Sequence, residues 1–160
     1  MKKCTHRAMP AIALVLLLSG AACGPPEEPE IVAISYVRAT TGGDPDTAVR
    51  LLDVERITER VEEQIVVIHS SGRESFLQDS IETLLWGLFR ETLPEDFAYG
   101  AIPAERDGDT ARVTVTKTGA GGETSEVIVH LRNTDAGWRV SGPSLDQLVT
   151  FVVQRLQEKY

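Results

Sequence analysis

The spacing of apolar residues changes once along this chain, near Phe97, and that switch limits the possible folds more than any other feature. Before it, Val54, Ile57, Val61, Ile65 and Ile68 recur at steps of three and four, the period that places side chains on one face of a helix. After it, Val113 and Val115 alternate with Arg112, Thr114 and Thr116, and Val127, Val129 and Leu131 alternate with Ile128, His130 and Arg132. That period of two belongs to half-buried strands. Helices followed by strands predict an α+β fold, with helices packed on one antiparallel sheet.

Turn and cap residues divide the two halves further. Ile31 to Ala39 reads as a short helix, broken by Gly42-Gly43 and restarted at Asp44-Pro45, where Asp44 can cap and Pro45 suits the first helical turn. A helix over Asp53–His69 is ended by Ser70-Ser71-Gly72. A longer one over Arg73–Thr92 buries Leu77, Ile81, Leu84, Leu85 and Leu88, with Phe76, Trp86 and Phe89 adding aromatic bulk before Pro94. Asp107-Gly108, Gly119 to Gly122 and Asn133 to Gly137 are turns between four strands, the first running through Ile102 and the last containing Trp138-Arg139-Val140. Beyond Gly142-Pro143, Ser144 and Gln147 suggest a capping box for a terminal helix to about Lys159. Its stripe of Leu145, Leu148, Val149, Val152 and Leu156 is too apolar to face water.

The start of the chain is of another kind. Lys2, Lys3 and Arg7 precede a short apolar run from Ala8 to Leu18 that contains Pro10, the anatomy of an export signal. The run is well short of the roughly 20 residues that span a bilayer. Leu18-Ser19-Gly20-Ala21-Ala22-Cys23 then resembles the lipobox of bacterial lipoproteins, with Gly20 where that family usually has Leu. The resemblance implies cleavage after Ala22, lipid on Cys23, and attachment to a membrane surface on the periplasmic or cell-surface side of the envelope. Two or three acyl chains, as in that family, suffice for stable anchoring. Residues 23–30, rich in proline and glutamate, read as a solvated tether, and residues 31–160 as a single domain.

Composition removes several classes of function. Losing Lys2, Lys3 and Arg7 with the leader leaves 13 basic residues against 24 acidic ones, a net charge of −11, which argues against nucleic-acid binding. Cys4 leaves with the leader, so Cys23 has no partner for a disulfide or a thiolate metal site. His69 reads as a cation at a helix end and His130 as a half-exposed strand residue, too few to suggest a metal site. Gly119 to Gly122 joins two strands and cannot offer a helix terminus to phosphate. Neither Ser71 nor Ser141 sits in a nucleophile elbow. His130 has no evident acid partner, since Asp107, Asp109 and Asp135 fall in hairpins and Glu126 at a strand edge. No cofactor is expected.

The helical start, Gly43-Asp44 leading into Thr47-Ala48-Val49-Arg50-Leu51-Leu52, and the later Gly137-Trp138-Arg139-Val140 strand together resemble the nuclear-transport-factor-two-like superfamily, particularly its uncharacterised lipoproteins. That resemblance implies a curved sheet wrapped around a long helix as a cone whose mouth holds a small apolar ligand. Tyr36, Trp86, Phe89 and His130 are the candidate cavity lining. The helix after Ser144 is additional to that pattern. Periplasmic phospholipid carriers, which also follow a helical half with a sheet and a Trp-bearing strand, are a second resemblance. The expected function is a membrane-anchored, non-enzymatic envelope lipoprotein that binds a small apolar ligand or a protein partner, its oligomeric state open. Phospholipid handling is the alternative, and a cone-fold isomerase or dehydratase a more distant one.

Overall fold

The computed structural model describes residues 27–65 and 73–159, with side chains for 27–65 and 77–158. The leader, Cys23, Ile68, His69 and the Phe76 side chain lie outside the described residues. The first helix, α1 (Pro29–Gly42), begins two residues before Ile31, because Pro29 at its first position has no N–H to satisfy. Pro29 and Glu30, expected in the tether, are therefore part of the domain, and Pro29 is buried. Gly43 closes the helix at φ 68°. A Cβ there would lie 2.9 Å from the Thr92 carbonyl oxygen, so space and backbone both demand glycine.

Carboxylates start the next two helices. Asp44 accepts from the Thr47 N–H at 3.1 Å to begin α2 (Pro45–Leu51), and Asp53 accepts from the Arg56 N–H at 3.2 Å to begin α3 (Val54–Gln64). The helix expected to continue to His69 ends at Gln64, with Ile65 as its cap. The long helix α4 (Arg73–Arg90) packs against α2 and α3.

The sheet has four antiparallel rows, and its first row is split. β1 (Ala98–Ala101) and β2 (Glu105–Asp107) both pair with β3 (Thr110–Thr118), which pairs with β4 (Thr124–Thr134), which pairs with β5 (Gly137–Val140). The single strand expected through Ile102 is interrupted at 102–104. At the break Pro103 has no N–H to donate, and the Glu30 carboxylate of α1 takes the Ala104 N–H at 2.7 Å. Register places Ala111 opposite Leu131 and Val113 opposite Val129, and all four are buried. Val32, Ala33 and Val37 of α1 join them in one buried cluster, and the sheet curls around the helices as the α+β reading expected.

After β5 the chain turns through a 3-10 segment (Gly142–Leu145) into α5 (Asp146–Lys159). The capping box does not form. Ser144 Oγ instead accepts from the His130 N–H at 2.9 Å, which ties the turn to β4. Leu145, Leu148, Val149, Val152 and Leu156 are all buried, and α5 packs on α3 and α4 within the domain.

Candidate functional site

The four candidate lining residues fall in different surroundings among the described residues. Tyr36 and Phe89 meet edge to face in the core, with ring centroids 6.5 Å apart and planes at 89°. Burial pushes the Tyr36 phenol up to about 12. Trp86, expected inside, is 37% exposed. Its indole N–H donates to the Asp46 carboxylate at 2.9 Å and its ring lies 5.3 Å from the Arg90 guanidinium, above a shallow depression against α2. Val32 and Val37 of α1 and Leu145, Val149 and Val152 of the C-terminal segment belong to the same buried cluster as Phe89.

His130 lies elsewhere, in an open cleft of about 540 Å3. Strand pairing explains how it forms. Glu105 faces Arg112, Arg112 faces His130, and Thr110 faces Arg132, so these side chains share the sheet face opposite the buried valines. Arg56 from the first turn of α3 and Ser141 to Pro143 after β5 complete the lining. Four arginines, Arg56, Arg106, Arg112 and Arg132, and the His130 imidazole thus line one concave surface, with Glu105 and Asp107 also contributing to it.

Each arginine already has an acidic neighbour. Arg112 donates to Glu105 at 3.1 Å, Arg56 to Glu59 at 2.6 Å, and Arg132 to Asp53 through Nε at 3.0 Å and Nη2 at 2.8 Å. The first two pairs are exposed on both sides, so solvent screens them and each exchanges readily for another anion. The third is structural. Asp53 is 4% exposed, and its Oδ2 also accepts from the Ser141 hydroxyl at 3.1 Å. His130 Nδ1 is buried and has no hydrogen-bond partner among the described residues. Burial, then the neighbouring Arg112 charge, hold the His130 imidazole below its usual range, with Asp146 opposing the shift. The geometry offers hydrogen-bond donors to an anionic group. Among the described residues, no carboxylate is hydrogen-bonded to His130 to make an acid–base pair, and no group of three potential metal ligands is gathered.

No family model and no curated protein matches the chain. Similar solved structures include a Campylobacter jejuni protein described as a candidate NTF2-like transpeptidase. It is 15% identical, with a TM-score of 0.47, covering 71% of this chain and 97% of that one. Another is a phospholipid-binding protein from Ralstonia solanacearum in complex with a phospholipid, 17% identical with a TM-score of 0.49, covering 82% of this chain and 87% of that one.

Of the sequence candidates, only His130 lies in the cleft. Arg56, Arg112 and Arg132 were not singled out, although a signal existed. Arg112 adjoins the buried Val113, and His130 and Arg132 flank the buried Leu131, so pairing the two strands in register would have assembled the cationic face.

Proposed function

We propose that this chain is an exported lipoprotein, held at a membrane surface by lipid on Cys23, whose domain is a non-enzymatic binding module. The observation that carries the binding reading is the convergence of Arg56, Arg112 and Arg132 with His130 in one open cleft. Guanidinium forks match carboxylate and phosphate oxygens, and the exposed Pro143 ring beside them supplies apolar surface. The fitting ligand is therefore a small molecule with an anionic group next to a carbon skeleton, rather than one wholly apolar. A phospholipid-handling role is the second reading, favoured by the same pairing of guanidinium and apolar lining.

Native mass spectrometry of the detergent-extracted full chain tests both. An adduct of ligand mass, lost in Arg112→Ala with the thermal midpoint unchanged, is the expected result, and its mass separates a phospholipid from a smaller anion. A protein without adduct whose affinity for phosphate-bearing amphiphiles is the same in wild type and Arg112→Ala would reject the cleft as the site.

A further inference from the structure

The folded domain begins very close to the proposed anchor. Pro29 opens α1 only six residues after Cys23. At no more than about 3.6 Å per residue, those six residues reach about 20 Å. That chain keeps the start of α1, and the Ala104 and Arg106 segment fastened to it, close to the surface from which the domain hangs.

The near end is also fastened. Arg106 of β2 pairs with both Glu28 and Glu30. The Ala104 N–H first, then Glu30's own N–H and, against an opposing effect of burial, the Arg106 charge hold the Glu30 carboxyl below its usual range. These contacts resist fraying of the first turn of α1, which would lengthen the tether, and they offset part of the charge on two carboxylates that anionic lipid would repel. Beside this junction stand two large apolar side chains in solvent. Ile31, next to Glu30, is 53% exposed, and Ile102, two residues before Ala104, is 51% exposed. Pro103 between them and the junction is exposed as well.

We infer that the end of the domain bearing Ile31, Ile102 and Pro103 rests on the bilayer that holds the Cys23 lipid. The occupant of this surface is the membrane, because the short chain between Cys23 and Pro29 keeps that end within reach of it. The inference rests on the lipoprotein reading. It adds an orientation to it: the domain stands with β2 and the Asp107-Gly108 turn toward the lipid, and the cleft, lined by Glu105 to Asp107, opens beside the headgroups.

Lipidation consumes the Cys23 thiol, so a cysteine introduced elsewhere is the only one in the mature chain that a maleimide can label. Full-length Ile31→Cys, Ile102→Cys and, at the far end, Ala120→Cys are each purified from membranes and reconstituted into phosphatidylethanolamine–phosphatidylglycerol vesicles. Maleimide should react several-fold more slowly at Ile31→Cys and Ile102→Cys in vesicles than in detergent, and equally fast in both at Ala120→Cys. All three positions are exposed, so the variants fold. Equal rates at the three positions in vesicles, with the wild-type chain unreactive, would overturn the orientation and leave the anchor standing. A wild-type chain that itself takes up maleimide at Cys23 would remove the anchor and the orientation together.

Discussion

Asp53 joins three parts of the molecule through one carboxylate. It caps α3 through the Arg56 N–H, accepts from the Ser141 hydroxyl at the end of β5, and receives Arg132 of β4. Removing it leaves donors unpaired in a largely dry site, so Asp53→Ala should cost about 2–4 kcal/mol, combining a lost cap with lost charge-assisted bonds. Chemical denaturation measures this, and a loss no larger than an ordinary surface substitution would mean the hub is not energetically coupled. His130 sets a different sensitivity. Its folded value lies below its unfolded value of 6.5, through burial first and then Arg112 on the facing strand, against the opposing Asp146 of α5. The unfolded chain then binds more protons in that window, so this contribution to stability is present above about pH 6.5 and is lost as pH falls below it. Thermal melts between pH 7.5 and 5.5 should show the decline, and His130→Gln should flatten it. An identical slope in the two proteins would assign the decline to other groups.

The order of elements was legible because periodicity survives without tertiary information: α3, α4, β3, β4 and β5 lie where the steps of three and four, or of two, place them. What was hidden depends on partners far along the chain. At the split between β1 and β2, Glu30 captures the Ala104 N–H, 74 positions away. Ser144, a plausible helix cap by type, is taken by the His130 N–H. The aromatic positions were legible only as aromatic. Nothing in the spacing of Trp86 tells that Asp46 and Arg90 hold it at the surface, while Phe89 one turn on is buried. The apolar stripe of α5 was readable as a buried face, and its partners prove to be α3 and α4. Five buried side chains at on the order of 1.5–3 kcal/mol each rival the whole stability of a small domain. A chain truncated after Ser141 should therefore fail to fold cooperatively, as read by circular dichroism and melting. An unchanged thermal midpoint would mean that α5 is dispensable to the core.

On the proposed lipoprotein reading, anchor and domain are separable, since Cys23 precedes the first described residue. Cys23→Ser should therefore leave the melting temperature unchanged and move the protein from the membrane fraction to the soluble one. Retention on washed membranes would show a second means of attachment. Attachment to a surface also concentrates copies of a chain, which exposes any sheet to a particular hazard: unpaired strand margins recruit one another into aggregates. Here both margins are closed to recruitment. One consists of β1 and β2, four and three residues long, separated by the break at 102–104 where Glu30 takes a main-chain donor. The other, β5, is four residues long, and its outer side is engaged by the Leu52 bridge and by the Asp53 N–H, which donates to the Val140 carbonyl at 2.9 Å. Neither margin offers an uninterrupted row of free donors and acceptors, so neighbouring copies can be packed densely on one leaflet without zipping edge to edge.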